Sequence, residues 1–241
     1  MNNSLNISIH GEGKPLVLLH GWGFDQQVWF SLLPYLVSQY QVYLVDLPGF
    51  GSSYPMLWDD FKEELTQRLP SEFAILGWSL GGFFASRLTL EYPQKVTHLI
   101  NVGSSPRFLR DGNWPGIDYH VLALFFQKIL LDPRGTVQDF IELQLQGEKL
   151  EFSLESIPSL IGLQAGLEVL SNWDLREPLK KANLPVCYMF GRLDAIVQVQ
   201  TLDAMKPMYP NFNYVLFPKA AHVPFLSHPK AFLEELDRFL Q

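Results

Sequence analysis

Short runs rich in Val, Ile, Leu and aromatic residues recur along the chain at Leu16 to Leu19, Val42 to Val45, Phe73 to Leu76, His98 to Val102, Val186 to Phe190 and Tyr214 to Phe217. Runs that are apolar at successive rather than alternate positions predict strands buried on both faces, as in a parallel sheet. Between them the period changes. Phe61 to Leu69, Gly82 to Tyr92 and Pro229 to Leu240 carry apolar residues at helical spacing. Strand and helix in alternation predict a doubly wound α/β fold, a mostly parallel central sheet with helices on both faces.

The alternation stops between about Ser105 and Lys181, where the sequence becomes helical and aromatic, broken by Trp114-Pro115-Gly116 and Asp132-Pro133-Arg134-Gly135. Two strand candidates of the same sheet flank this stretch. The expectation is one domain over residues 1–241, with a helical cap at 105–181 rising from a loop at a sheet edge.

A chain of 241 residues with 47% hydrophobic composition suits a single domain with an insertion. A net charge of −7 argues against non-specific attraction to nucleic acid or anionic membranes, which needs clustered cations. The first residues show no basic segment leading into an apolar run, and no stretch stays apolar long enough to span a bilayer, so a soluble cytoplasmic location is expected. Cys187 is the only cysteine, which excludes an intrachain disulfide and a thiol-rich metal site. Its apolar neighbours predict a plain core position.

The candidate chemistry begins at Gly77-Trp78-Ser79-Leu80-Gly81, between the strand Phe73 to Leu76 and a helical pattern. A GxSxG in that context predicts a nucleophile elbow, a turn too tight for side chains at the glycines that pushes the serine hydroxyl into a cleft. The alternative is a turn serine that only caps a helix. A hydroxyl is a poor nucleophile near neutral pH and needs a base. His222, after the last strand candidate and downstream of the serine, fits that role, whereas His228 precedes Pro229 and is expected to start the final helix. The acid that orients the imidazole is expected at Asp194, in Gly191-Arg192-Leu193-Asp194 after a buried strand and before the histidine. Asp174, before that strand, and Asp203, on the helix after it, are the rivals.

Attack on an ester carbonyl builds an oxyanion, which backbone N–H groups stabilise. One donor is expected at the Leu80 N–H and the other at the Trp22 N–H, in Leu19-His20-Gly21-Trp22-Gly23, where glycines let the backbone approach a substrate. The Trp22 ring either belongs to the core or walls an acyl pocket, and its place on a strand-end loop favours the wall. His20 is expected to pack beneath the loop. Gly11-Glu12-Gly13-Lys14-Pro15 lacks the strand, spacing and hydroxyl of a phosphate loop, Gly49-Phe50-Gly51 lacks the third glycine of a dinucleotide site, and no metal-ligand spacing occurs. Neither a metal nor a cofactor is expected.

Several segments together are far more selective than the elbow alone: Leu18-Leu19-His20-Gly21-Trp22-Gly23, Leu44-Val45-Asp46-Leu47-Pro48-Gly49-Phe50-Gly51, Gly77-Trp78-Ser79-Leu80-Gly81-Gly82, Trp114-Pro115-Gly116-Ile117 and Lys219-Ala220-Ala221-His222. Through them, and over nearly its whole length, the chain resembles the pimeloyl-acyl carrier protein methyl ester carboxylesterases of biotin synthesis, within the α/β-hydrolase superfamily. The resemblance implies a triad of Ser79, Asp194 and His222, with Trp22, Leu80 and the cap residues Phe140 and Gln144 lining the substrate site. It implies a small acyl ester presented by acyl carrier protein as substrate, and a monomer is expected. The family's cap is rich in arginine, whereas here Asp139, Glu142 and Glu148 accompany Arg134 and Lys149. Arg107, Arg110, Lys128 and Arg134 are the cations available for a local basic patch. Other readings are a general short-acyl esterase, a capped hydrolase of carbon–carbon or aminoacyl-proline bonds, and a non-catalytic binding protein of this fold.

Overall fold

The computed structural model describes residues 4–145 and 158–241. Within them, β1 (Ile7–His10), β2 (Lys14–Leu19), β3 (Tyr40–Val45), β4 (Phe73–Trp78), β5 (Val96–Val102), β6 (Val186–Gly191) and β7 (Asn213–Phe217) form a seven-stranded sheet in the order β1-β3-β2-β4-β5-β6-β7. Each predicted run lies inside one of β2 to β7, and those strands pair in parallel. Every residue of β4 and β6 is buried, as continuous apolar strands require. The sequence reading did not include β1, which pairs antiparallel with β3 from Ile7 opposite Val45 to His10 opposite Val42. It is a four-residue edge strand with Ile9 55% exposed, so it has no two-faced apolar signature to read.

A 3₁₀ turn (Gln26–Leu32) leads into α1 (Leu33–Leu36), and α2 (Trp58–Arg68) and α3 (Leu80–Glu91) follow β3 and β4. Among the described residues, α4 (Tyr119–Leu131), α5 (Pro133–Leu145), α6 (Leu160–Asn172) and α7 (Arg176–Leu179) lie between β5 and β6, and α8 (Gln200–Met208), α9 (Pro224–Ser227) and α10 (Pro229–Leu240) follow. α10 starts at Pro229, whose fixed φ suits the first helical position, and buries Phe232, Leu236 and Leu240 at four-residue spacing. Burying side chains of that size contributes about 1.5–3 kcal/mol each. α3 instead is buried nearly all round, because the sheet covers one side and α6 packs against another.

The connection from β2 runs to β3 on one side, whereas β4 leads to β5, β6 and β7 on the other. Strand order therefore reverses between the neighbours β2 and β4, and the loops leaving their carboxyl ends part there to form a crevice. Those loops carry Trp22 and Ser79.

The inserted helices spring from a narrow stem. Leu175 donates its N–H to the Pro106 carbonyl at 2.8 Å, Arg107 and Asp174 form an antiparallel bridge, and Arg107 Nη1 donates to the Ser171 carbonyl at 2.8 Å. Asp118 and Ser159 cap α4 and α6 by accepting from the N–H groups of His120 and Gly162. Asp132 ends α4 and Pro133 opens α5, as the Asp-Pro break requires. Of the cap residues weighed for charge, Glu148 and Lys149 lie outside the described residues. Cys187 is 1% exposed on β6, and burial pushes its thiol up to about 12, so it is an inert part of the core.

Candidate active site

Ser79 lies between the last residue of β4 and the first of α3, with φ 54° and ψ −116°. It is the only non-glycine residue with positive φ among those described, a conformation that costs about 1–3 kcal/mol. Its neighbours hold it there. Its N–H donates to the Val102 carbonyl at 2.9 Å, and its carbonyl accepts from Ser104 Oγ at 2.9 Å and from the Gly82 N–H at 3.0 Å. The turn also brings backbone against backbone, so that a Cβ on Gly77 would lie 2.2 Å from the Gly81 carbonyl and one on Gly81 2.4 Å from that of Leu19. Gly81→Ala is therefore expected to destabilise the fold by about 3 kcal/mol, read as a lower urea midpoint.

His222 is wholly buried in the loop after β7, and Asp194 is 5% exposed in the loop after β6. Asp194 Oδ1 accepts from the N–H groups of Ile196 at 2.8 Å and Val197 at 2.9 Å, while Oδ2 meets His222 Nδ1 at 2.7 Å. Two backbone donors fix the carboxylate plane. A carboxylate only accepts, so Nδ1 carries the proton and Nε2 is left with its lone pair. Nε2 makes no hydrogen bond among the described residues. Trp78 Nε1 donates to the His222 carbonyl at 2.9 Å, and its ring packs 5.6 Å from the imidazole. Ser79 bonds to Val102, and the next residue, Gly103, abuts His222 so closely that a Cβ there would lie 3.1 Å from Nδ1. Serine and histidine thus flank one strand end.

The two rival aspartates are elsewhere. Asp174 is engaged by Arg176, with Oδ2 2.6 Å from Nη2, and Asp203 is exposed on α8. Among the described residues, no group of three His, Cys, Asp or Glu side chains is placed to hold a metal ion.

Leu80 is the first residue of α3, so its N–H has no carbonyl a turn earlier and points out of a helix N-terminus that favours negative charge. Trp22 sits across the crevice, fully buried. His20 Nδ1 donates to the Gly21 carbonyl at 2.8 Å and its Nε2 accepts from the Leu47 N–H at 2.9 Å. That bond fixes the peptide plane whose other edge is the Trp22 N–H. Burial lowers the His20 pKa against the opposing pull of Asp46, which keeps the ring in the neutral form this pattern needs. Phe140 meets the Trp22 ring edge-on at 5.2 Å, and Gln144 Nε2 donates to the Trp22 carbonyl at 3.3 Å.

Sequence reasoning missed Ser104, Gly103 and the indole of Trp78. Gly103-Ser104-Ser105 directly after a buried strand was a readable signal, since strand ends on this side of a doubly wound sheet build sites. Of the available cations, Arg107 points into the stem toward Ser171, while Arg110, Lys128 and Arg134 are exposed.

The sequence matches the alpha/beta hydrolase family over residues 16–235. It is 48% identical to a pimeloyl-[acyl-carrier protein] methyl ester esterase of Legionella pneumophila, covering 99% of this chain and 100% of that one. To the protein of that name from Aeromonas hydrophila it is 39% identical, with 98% and 99% covered. Among solved structures, an esterase from Exiguobacterium antarcticum superposes with a TM-score of 0.88 at 23% identity, covering 98% of this chain and 94% of that one, a likeness of fold. The chain belongs to the alpha/beta hydrolase family and, within it, to the pimeloyl-[acyl-carrier protein] methyl ester esterases.

Proposed function

We propose that this protein is a serine carboxylesterase that hydrolyses the methyl ester of pimeloyl-acyl carrier protein, as a cytoplasmic, monomeric enzyme of biotin synthesis. The observation that carries the chemistry is the buried His222, with Nδ1 bonded to Asp194 and Nε2 unpaired, beside the strand end to which Ser79 is bonded. Identity of 48% to a named esterase over the whole chain supports the substrate. No helix of the described residues is long and apolar enough to cross a membrane.

In this reading Ser79 Oγ attacks the ester carbonyl while His222 Nε2 takes its proton. The N–H groups of Leu80 and Trp22 hold the oxyanion of the tetrahedral intermediate, each worth about a hundredfold or more in rate. His222 then gives the proton to the departing methoxy oxygen, methanol leaves, and an acyl-enzyme remains. Water, deprotonated by the same Nε2, cleaves that ester and releases the free carboxylate. Asp194 keeps the imidazole in its tautomer and stabilises the imidazolium. Residues 105–181 act as a cap whose Phe140 bounds the acyl site, with the buried Gln144 behind it against the Trp22 carbonyl. The methyl group makes chemical sense, because a free terminal carboxylate is costly to bury among apolar side chains and its methyl ester is not.

The test compares methyl pimeloyl-carrier protein with simple methyl esters. A preference in kcat/KM of about a hundredfold or more for the carrier-bound ester is expected, the scale of a few kcal/mol of added contact. Equal rates on simple esters, with failure to restore growth without biotin in a strain lacking its methyl esterase, would favour a general short-acyl esterase.

A further inference from the structure

Trp22 belongs by sequence to the loop after β2, yet its partners lie on the helices inserted after β5. Its indole Nε1 donates to the Leu163 carbonyl of α6 at 2.9 Å. Its ring meets Phe125 of α4 edge-on at 5.3 Å and Phe140 of α5 at 5.2 Å. Its own carbonyl takes the hydrogen bond from Gln144 Nε2, at 3.3 Å. The helices α4, α5 and α6 therefore all grip one residue of the oxyanion loop.

Gln144 is the unusual member of this set. It is wholly buried on α5, and while Nε2 serves Trp22, Oε1 has no hydrogen-bond partner among the described residues. An unmet buried acceptor costs about 1–3 kcal/mol. An apolar side chain of the same size would fill the space without that cost, so packing does not account for an amide here. What the amide does is fix a peptide plane. Trp22 is followed by Gly23, at φ 85°, so local backbone preference does little to set the Trp22–Gly23 plane. His20 holds the plane before Trp22 from inside the sheet domain, and Gln144 holds the plane after it from the inserted helices.

We propose that Gln144 is a positioning residue that acts through the Trp22 carbonyl, so that the seating of the inserted helices on the sheet, together with the His20 bond to the preceding plane, holds the Trp22 N–H aimed at the oxyanion. This rests on the ester-hydrolase reading above. Removing an oxyanion donor outright costs about 10²–10³ in kcat, and a donor that is kept but misaimed loses part of that, about tenfold to a hundredfold.

The decisive variant is Gln144→Met, which keeps length and volume and removes both polar ends. Removal of the unmet Oε1 should leave the thermal midpoint unchanged or raised, while kcat on para-nitrophenyl butyrate falls about tenfold or more with KM within about threefold. Affinity for a small trifluoromethyl ketone, which forms a tetrahedral adduct on the serine, should fall by the same factor. Gln144→Glu, which keeps the shape and turns an acceptor toward the Trp22 carbonyl, should show the same loss. A rise in KM at constant kcat would show that Gln144 touches substrate instead, and unchanged kcat with unchanged ketone affinity would show that the bond positions nothing; either overturns the proposal. So does a midpoint and a kcat that fall together in both variants, since that is a structural role. Ser79→Ala, run beside them, separates the two failures. Turnover that survives it removes the hydrolase reading, whereas Ser79-dependent turnover untouched by Gln144→Met removes the positioning role alone.

Discussion

Ser79→Ala is expected to lower turnover of para-nitrophenyl butyrate by about 10⁴-fold or more while the far-UV circular dichroism and thermal midpoint stay close to those of the parent protein. The loss follows from the chemistry proposed for His222. With no hydroxyl beside it, Nε2 has only water to activate, and the residual rate is what oxyanion donors and substrate binding supply by themselves. The small effect on stability has a separate reason. The backbone at Ser79 is held by Val102, Ser104 and Gly82 through its own N–H and carbonyl, none of which the substitution removes. A variant that keeps its turnover would place the nucleophile elsewhere.

The second large effect is expected from Asp194→Asn, about 10⁴-fold in kcat. Two backbone N–H groups point at Oδ1, from Ile196 and Val197, so an asparagine must put its oxygen there and its NH₂ where Oδ2 faces His222. That NH₂ donates to Nδ1, which drives the imidazole proton to Nε2 and leaves no lone pair for the serine proton. The geometry thus predicts the wrong tautomer, not merely a weaker pair. Asp174→Asn and Asp203→Asn serve as controls and should leave kcat within about twofold, since one aspartate is engaged by Arg176 and the other is exposed on α8. A large loss in either control, with Asp194→Asn active, would reassign the acid.

What could be read from the sequence depended on whether the physics acts over a few neighbouring residues. The strands β2 to β6 bury both faces over most of their length and so write themselves as unbroken apolar runs, and β7, though only half-buried, keeps enough of the same pattern to be read. Gly77 and Gly81 sit where a side chain would strike the backbone, a constraint that leaves its mark as composition. The edge strand β1, half in water, leaves no such mark. The grip on Trp22 was illegible for a different reason: Leu163 contributes only a main-chain carbonyl, which any residue would offer, and its reach across 141 positions has no local sign. Gln144 came into view through family likeness alone, since a lone glutamine on an amphipathic helix reads as surface until its burial is seen.

The stem at Pro106 and Leu175 has an implication for how such proteins diversify. Because the two roots are tied to each other by the Leu175–Pro106 bond and the Arg107–Asp174 bridge, the sheet meets the same boundary whatever length of chain lies beyond them. The closure entropy of the excursion grows only slowly with its length. Selection, or an engineer, can therefore exchange the whole excursion for another, remaking the surface over the crevice while Ser79, His222 and Asp194 stay on the strand ends of an untouched chassis.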